Sequence, residues 1–226
     1  SNPMVSIIIP CLNNAELTRD CINSIRAFTP EEHEIILIDN GSIDDTPQLL
    51  HELSRGKLNY IVLRNDTNIG FPRAINQGIT FSKGEYIVVL NNDVIVSPEW
   101  LTGLLECVNS APDIGIVGPR TNNISGRQRF DDGKYSNQFE FVEFARKFRQ
   151  SYKGHYDPWW RIVFFCALIK REVFEKIGVL DEQFSPGNFE DDDFCIRSIL
   201  GGYRNVICND VFVHHYGSAS HKDIDQ

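Results

Sequence analysis

Residues 190–193 form an uninterrupted acidic run, EDDD, between Phe189 and Phe194. Adjacent carboxylates repel one another, although the positive end of the helix dipole makes the first turn of a helix tolerant of them. The flanking phenylalanines indicate that the run is not simply a solvated face. A carboxylate held in such an environment can serve as a general base. Helix capping explains the same residues about equally well, so both interpretations stay open.

A second candidate for chemistry is the triplet Asn91-Asn92-Asp93, which directly follows the apolar run YIVVL. A carboxylate at the end of a strand can hold a divalent cation that also binds a diphosphate, because Mg²⁺ takes few protein oxygens together with phosphate oxygens. A turn that caps the strand explains the triplet at least as well. Asp39 ends the run IILID and has the same ambiguity; its functional role would be to accept a hydrogen bond from a base or a ribose.

The segment NIGFPRAINQG, residues 68–78, places a glycine turn at the start of a predicted helix. Helix N-termini suit anions, but turn chemistry alone explains the single glycine at position 70. Neither GxGxxG nor GxxxxGK[ST] occurs in the chain, so dinucleotide-binding and P-loop interpretations lack their usual support.

Two adjacent histidines, His214 and His215, end a predicted strand over residues 211–215. Most isolated histidines have a structural role. Since neighbouring side chains on a strand point to opposite sides, at most one of the two faces a metal.

The first half of the chain alternates strand and helix patterns. The predicted strands are residues 5–10, 34–39, 60–63, 86–90 and 114–117; the predicted helices are residues 16–28 and 71–81, with others opening near 46 and 98. This alternation predicts an α/β fold with a parallel, doubly wound sheet. Ligands bind at the carboxyl ends of the strands in such sheets, where Asn13, Asp39 and Asn91-Asn92-Asp93 all fall.

The second half changes character. It predicts a mobile loop at 122–134, an aromatic and basic helix at 139–148, an apolar strand at 159–169 across the sheet, and a helix at 190–200. No linker divides the chain, which predicts a single domain over residues 4–226. Residues 1–3 are interpreted as an expression scar, and the domain could belong to a longer protein.

Composition excludes several classes of protein. The chain has 226 residues with 22 Lys+Arg against 31 Asp+Glu, a net charge of -9 that disfavours nucleic-acid binding. The six cysteines are scattered without paired spacing, which favours buried, reduced thiols in a cytoplasmic protein. No apolar run approaches the roughly 20 residues that span a bilayer, and no secretion signal is predicted.

The order of these features resembles the family 2 inverting glycosyltransferases with the GT-A fold, particularly their rhamnosyltransferase-like branch. The resemblance covers residues 5–220, nearly the whole chain. It rests on the blocks VSIIIPCLNN, IILIDNGSIDDT, NIGFPRAINQGI, GEYIVVLNNDV, IKREVFEKIGVLDEQF, FEDDDFCIRS and VHHYGSAS. Each block is a weak signal, but seven in the family's order are specific.

The resemblance implies a role for each matching position. Nucleotide-sugar binding would fall to Pro10, Asn13, Asp39, Asn68, Gly70, Asn92 and Asp93, with Asp39 on the base and Asn92 near the ribose. Asp93 and His215 would bind Mg²⁺ or Mn²⁺, with His214 as the fallback. Asp191 would be the catalytic base, with Glu190 as the other member of the family's acidic pair. Residues 4–120 would form the nucleotide-binding half, and residues 121–220 the acceptor-side half.

The implied reaction transfers a sugar with inversion from a UDP- or dTDP-sugar to a glycan or lipid-linked acceptor, in surface polysaccharide or glycan biosynthesis. The implied location is cytoplasmic, with peripheral association at the inner face of the membrane. Two positions depart from the family pattern: Asn91 stands first in the D-x-D triplet, and Phe164-Phe165-Cys166 replaces a segment of small residues.

Two alternatives belong to other classes. A non-catalytic nucleotide-sugar-binding module or partner subunit would share the fold, but the intact Glu190-Asp191 pair argues against it. A nucleotidyltransferase would require a glycine-rich basic loop after the first strand, and PCLNN offers neither glycine nor lysine there.

Overall fold

The computed structural model describes residues 4–184 and 189–217. The predicted expression scar and the last residues of the final matching block, 218–220, lie outside them. The described strands are β1 Val5–Cys11, β2 His33–Asn40, β3 Tyr60–Asn65, β4 Tyr86–Leu90, β5 Val94–Ile95, β6 Ile114–Thr121, β7 Tyr156–Pro158, β8 Cys166–Lys170 and β9 Arg204–His215. The helices are α1 Ala15–Phe28, α2 Thr46–Ser54, α3 Phe71–Phe81, α4 Trp100–Val108, α5 Gln138–Ser151, α6 Arg171–Ile177 and α7 Glu190–Leu200, with a 3₁₀ turn at Glu182–Phe184.

One sheet in the order β3-β2-β1-β4-β8-β6-β9-β5 organises these elements, and β7 pairs with β9. Strands β3, β2, β1 and β4 are mutually parallel. Strand β8 runs antiparallel between β4 and β6, and β9 is parallel to β6. The sheet is therefore mostly parallel, which confirms the predicted fold class.

This topology brings distant parts of the chain to one edge of the sheet. Strands β4 and β6 are each antiparallel to β8, so they run in the same direction, and β9 is parallel to β6. Since β1 and β2 are parallel to β4, the carboxyl ends of β1, β2, β4 and β9 share an edge. Strand β8 begins at that edge, just after Phe164 and Phe165. The short β5 then pairs Val94 with His215, which joins the turn after β4 to the end of β9.

The cores on the two sides of the sheet follow from strand alternation. On β1, Ile7 and Ile9 pack with α1, α2 and α4, whereas Ile8 packs with α3, α6 and α7. Strands buried on both faces are continuously apolar, which is why their pattern predicts them well. All six cysteines are buried without a disulfide, which confirms the prediction of buried thiols.

The prediction of a strand over residues 159–169 is wrong in its first part, because strand pairing begins only at Cys166. The Trp159 N–H still bonds to the Asn205 carbonyl of β9 at 3.0 Å, but three later N–H groups bond to side chains. Ile162 donates to Cys195 Sγ at 3.4 Å, Val163 to Gln128 Oε1 at 2.8 Å, and Phe164 to Asp191 Oδ2 at 3.3 Å. Side chains from two other elements thus replace a neighbouring strand. Three further elements, β5, β7 and α6, had no sequence prediction, since each spans at most seven residues.

Helix α5 packs an aromatic face onto β9. Phe141, Ala145 and Phe148 are buried in a cluster with Phe212, whereas Phe139 is 75% exposed. Core packing therefore accounts for most of the phenylalanines that could otherwise suggest contact with a lipid. Within residues 4–184 and 189–217, no helix has both the length and the apolar character needed to cross a membrane.

Helix α5 also supplies one half of a buried ion pair that we expect to stabilise the fold. Arg149 Nη1 lies 2.7 Å from Asp210 Oδ2, and that oxygen also accepts the N–H of Gly154 at 2.9 Å. Asp210 is fully buried and Arg149 nearly so. Arg149 also bonds to the half-exposed Glu106 at 3.0 Å, so replacing Asp210 leaves the buried charge of Arg149 only partly compensated. Asp210→Asn is therefore expected to lower the free energy of unfolding by up to about 3 kcal/mol.

Urea denaturation measures that loss, and the Arg204–Asp113 pair supplies a matched control. Two bonds of 2.8 and 2.9 Å join these side chains, which are about half exposed. Asp113→Asn is expected to cost much less than Asp210→Asn, because solvent screens an exposed pair. Equal losses in the two variants would contradict a stabilising role for the buried pair.

Candidate functional site

Asp93 and His215 face each other at the shared edge of the sheet. His215 Nε2 lies 3.3 Å from Asp93 Oδ1, a buried oxygen with no hydrogen-bond donor among the described residues. His215 Nδ1 lies 2.7 Å from the carbonyl oxygen of Asn123. A carbonyl only accepts, so Nδ1 carries the proton and the lone pair of a neutral His215 lies on Nε2, toward Asp93.

The residues around His215 hold it in that orientation. Asn122 accepts the His215 N–H at 2.8 Å and donates to the His215 carbonyl at 3.2 Å. Burial lowers the pKa of His215, but the Asp93 carboxylate outweighs burial and leaves the pKa above its ordinary value. Asn122 and Asn123 begin the 122–134 loop, and no sequence pattern identified them as neighbours of the histidine.

This pair is suited to share a divalent cation with phosphate oxygens. In the described part of the chain no group of three or more His, Cys, Asp or Glu side chains could hold a metal alone. Mg²⁺ sites in nucleotide enzymes commonly use one or two protein ligands, with phosphate oxygens completing the shell. The buried Asp93 Oδ1 and the Nε2 of His215, 3.3 Å apart, fit such a shared site when the histidine is neutral and its Nε2 lone pair is available.

His214 lies on the opposite side of β9, away from Asp93. Its Nδ1 is 2.6 Å from the hydroxyl of Tyr135, and its ring packs against Phe141 and Tyr216. Burial, with a smaller effect from the charge of His215, lowers the pKa of His214 to about 3. The structure therefore places His215, and not the fallback His214, beside the predicted metal-binding carboxylate.

The four acids at the start of α7 occupy four different environments. Glu190 is buried, with Oε2 lacking a hydrogen-bond partner among the described residues, and burial raises its pKa. Asp192 pairs with Arg161 at 2.7 Å, and Asp193 pairs with Arg197 at 2.9 Å. The residue before the helix, Phe189, makes no side-chain cap, so any capping of this helix comes from the acids themselves.

Asp191 combines partial burial with fixed orientation. Its Oδ2 accepts the N–H of Phe164 at 3.3 Å, and its Oδ1 accepts the N–H of Asp192 at 2.9 Å. Burial raises the pKa of Asp191 and the charge of Asp192 adds to the rise, whereas the bond from Phe164 opposes it. A raised pKa brings a carboxylate closer to the range in which it removes a proton efficiently near neutral pH.

The dipeptide Phe164-Phe165 links the two parts of the site. The Phe164 N–H bonds to Asp191, whereas the Phe165 ring stacks on His215 with centroids 5.3 Å apart. The Phe165 carbonyl accepts the N–H of Asn91 at 2.9 Å. Both phenylalanine side chains are buried at 2% exposure. The two phenylalanines, which stand where the family pattern has small residues, therefore pack into the core on opposite sides of the sheet.

Asp39 lies at the end of β2 and is 1% exposed. Its Oδ1 accepts the N–H of Ser42 at 2.9 Å, and its Oδ2 pairs with Arg64 of β3. These bonds hold the carboxylate in one orientation at the end of the strand. Arg64 had no role in the sequence prediction. Only the pairing of β2 with β3 shows that it lies opposite Asp39.

Pro10 and Asn13 lie on the neighbouring strand and its turn. Pro10 is paired in register with Ile38, one position before Asp39. Asn13 has a left-handed backbone, with φ at 56°, and its side chain accepts the N–H of Ile43 at 2.9 Å. The Asn13 side chain therefore helps to hold the β2–α2 loop.

Asn68 and Gly70 form a turn that a buried side chain holds in place. Asn40 donates to Asn68 Oδ1 at 2.9 Å and accepts the N–H of Ile69 at 3.1 Å. Gly70 has φ at 89°, and Gly41 has the same φ and lies against the backbone of Thr67, where a Cβ would not fit. These positions require glycine, so the loops after β2 and β3 pack tightly. Asn40 was missed, although it directly follows the predicted Asp39.

Asn92 turns toward α1. Its amide nitrogen donates to Thr18 Oγ1 at 2.9 Å and to the carbonyl of Asn13 at 3.4 Å. The fully buried Thr18 and the β1 turn thus hold the middle residue of the triplet.

Several known proteins are similar in sequence to this chain. The family model described as glycosyl transferase family 2 matches residues 6–178. The O-antigen biosynthesis protein RfbC of Myxococcus xanthus is 27% identical over 241 residues, covering 97% of this chain and 18% of RfbC. The chain spans about a quarter or less of the length of the first curated relatives that it matches.

Solved structures share the fold. The mannosyltransferase PcManGT from Pyrobaculum calidifontis, in complex with GDP-Man and Mn²⁺, has a TM-score of 0.72 and 18% identity, over 98% of this chain and 59% of that one. GalNAc-T7 with UDP, GalNAc and Mn²⁺ has a TM-score of 0.75 and 16% identity, over 94% and 44%. At these identities the likeness establishes the GT-A fold.

Proposed function

The chain belongs to glycosyl transferase family 2, and from that premise we propose that it transfers a sugar from a nucleotide-diphosphate sugar to an acceptor hydroxyl with inversion. The donor we propose is a UDP- or dTDP-sugar, as in the rhamnosyltransferase-like branch. Residues 4–120 would bind the nucleotide, and residues 121–220 would face the acceptor. Pro10, Asn13, Asp39, Asn68, Gly70 and Asn92 would line the donor site.

The observation that carries this proposal is the Phe164-Phe165 link. One residue bonds to Asp191 through its N–H, and the next stacks on His215, which contacts Asp93. The proposed base and the proposed cation ligands are therefore held at one edge of the sheet by adjacent residues. Direct displacement needs such proximity, because base, acceptor and leaving diphosphate must meet at the anomeric carbon.

The first position of the triplet is Asn91 rather than an aspartate, so Asp93 and His215 would hold Mg²⁺ or Mn²⁺ together with the donor diphosphate. Such a cation neutralises the charge that develops on a leaving diphosphate. PcManGT was solved with GDP-Man and Mn²⁺, and GalNAc-T7 with UDP, GalNAc and Mn²⁺. Both structures support the proposal of a cation-assisted donor site in this fold.

Asp191 would take the proton of the acceptor hydroxyl. The deprotonated oxygen then attacks the anomeric carbon from the face opposite the nucleotide, the bond to the diphosphate breaks, and the configuration inverts. The raised pKa of Asp191 favours proton transfer in this step. Glu190, the buried neighbour in the acidic pair, would complete the acidic environment around the acceptor.

The biological setting that we propose is surface polysaccharide or glycan biosynthesis. The name of the RfbC relative, which refers to O-antigen biosynthesis, supports this setting. The acceptor would be a glycan or a lipid-linked glycan, met on the cytoplasmic face of the membrane.

A ligand screen tests the donor proposal. Thermal unfolding is measured with UDP-, dTDP- and GDP-sugars, each with Mn²⁺ and with EDTA. A ligand at 100 times its Kd stabilises by about 2.7 kcal/mol, so one donor is expected to raise Tm by about 5 °C or more in Mn²⁺. Release of the nucleotide product with that donor then measures turnover. Stabilisation without turnover would favour the non-catalytic binding module, and no stabilisation by any of the donors would contradict a nucleotide-sugar site.

A further inference from the structure

Arg161 connects the start of α7 with the loop that follows β6. Its Nε donates to Asp192 Oδ1 at 2.7 Å, and its Nη1 donates to the carbonyl and hydroxyl of Ser125 at 3.1 and 3.2 Å. The side chains of Arg161 and Asp192 are about three-quarters buried. Partial burial and the fork geometry of guanidinium favour a defined arrangement over a mobile surface pair.

The same short segment, residues 159–164, makes two further contacts with that loop. Arg127 stacks on the ring of Trp159 with its guanidinium carbon 3.7 Å from the ring centroid. Gln128, which is 2% exposed, accepts the N–H of Val163 at 2.8 Å. The segment is thus fixed on the loop side, and its last N–H, from Phe164, reaches Asp191.

The geometry points to Arg161 as a positioning residue for the transfer step, which fixes the first turn of α7 against the 159–164 segment so that Asp191 keeps its orientation. This inference rests on the proposed function of Asp191. Arg161 itself acts through Asp192 and Ser125 and need not touch the substrate. A displacement of the base by about 1 Å can cost about 100-fold in rate, so such a contact matters to kcat.

A purely electrostatic role makes a different prediction. The charged groups around Asp191 are Glu190 and Asp192 on α7 and Arg161 on the facing segment. Removing the positive Arg161 and removing the negative Asp192 would have opposite effects on the basicity of Asp191. A positioning role predicts instead that both changes lower kcat, because each breaks the same link.

The Asp193–Arg197 pair provides a matched control on the same helix. Its bond is 2.9 Å long, and its side chains are about as exposed as those of Arg161 and Asp192. It lies one residue further along α7 and makes no contact with residues 159–164 among the bonds described. Asp193→Asn therefore reports the cost of losing an equivalent ion pair near the helix start.

The test compares steady-state kinetics of Arg161→Gln, Asp192→Asn, their double variant and Asp193→Asn. We expect Arg161→Gln and Asp192→Asn each to lower kcat by about 10- to 100-fold with donor KM nearly unchanged. The double variant is expected to be no slower than the worse single one, since both remove one link, and Asp193→Asn to stay within about threefold of the parent. Opposite effects of the two single variants, additive losses, or a loss confined to acceptor KM would each overturn the inference.

Amide hydrogen exchange separates this inference from the proposed function, because it needs no turnover. In Arg161→Gln, the Phe164 amide that bonds to Asp191 is expected to exchange about tenfold faster, and Asp193→Asn should leave it unchanged. Unchanged exchange in Arg161→Gln would overturn the positioning role even in an active enzyme. Faster exchange in a protein that transfers no sugar would count against the proposed function alone.

Discussion

Replacing Asp191 with asparagine is expected to abolish sugar transfer while leaving donor binding intact. Asparagine keeps the shape of the side chain, and its single carbonyl oxygen can still accept one of the two bonds that Phe164 and Asp192 donate to Asp191. It cannot take a proton from an acceptor hydroxyl. The loss of a general base lowers turnover by about 10²- to 10⁴-fold. Initial rates with a saturating donor measure this loss, and titration with UDP in Mn²⁺ measures donor binding.

Asp193→Asn serves as the control, because Asp193 is in the same turn but faces Arg197. It is expected to retain most of the activity. Full turnover in Asp191→Asn would remove Asp191 from the role of base. Loss of nucleotide binding in that variant would indicate a structural role instead.

The same variant has an expected effect on stability. Burial raises the pKa of Asp191 in the folded state, so ionised Asp191 opposes folding at pH values above that raised pKa. Asparagine removes this cost. We therefore expect Asp191→Asn to be more stable than the parent at neutral pH, with the difference vanishing as the pH falls below the pKa of aspartate in the unfolded chain. Urea denaturation at several pH values measures this difference.

Asp93→Asn is expected to remove the metal dependence of donor binding. Asp93 Oδ1 is a buried oxygen that faces His215 Nε2 at 3.3 Å. Loss of a supporting contact at a metal site costs about 10- to 100-fold in affinity, and loss of a ligand is expected to cost at least about 100-fold. Isothermal titration of UDP in Mn²⁺ and in EDTA measures the change.

The two adjacent histidines give this experiment its control. His215→Ala is expected to weaken Mn²⁺-dependent binding of UDP, whereas His214→Phe should preserve it because His214 lies in the aromatic cluster around Tyr135 and Phe141. EDTA should reduce binding by the parent protein to the level of Asp93→Asn. Tight binding of UDP in EDTA by the parent would contradict a cation-dependent donor site.

Local patterns predicted the fold well because they act over short distances. Runs such as VSIIIP form strands that are buried on both faces, and the bounds predicted for the helix 71–81 and the strand 86–90 agree with α3 and β4. The segment 159–165 was harder to predict. It is as apolar as a strand, but Gln128, Asp191 and Cys195 take its backbone N–H groups. Those partners come from distant parts of the chain.

The sequence by itself determined most of the longer strands and helices and the identity of the acids at the strand ends and at the start of α7, since periodicity and turn chemistry are local properties. Only the tertiary structure decided which of these side chains meet. Strand β8 inserts between β4 and β6, and β5 pairs with β9, so that His215 rather than His214 faces the distant Asp93. The contact of Arg161 with Asp192 likewise joins residues that are 31 positions apart in the chain. Pairing of distant strands depends on the packing of the whole sheet, and no short stretch of sequence contains it.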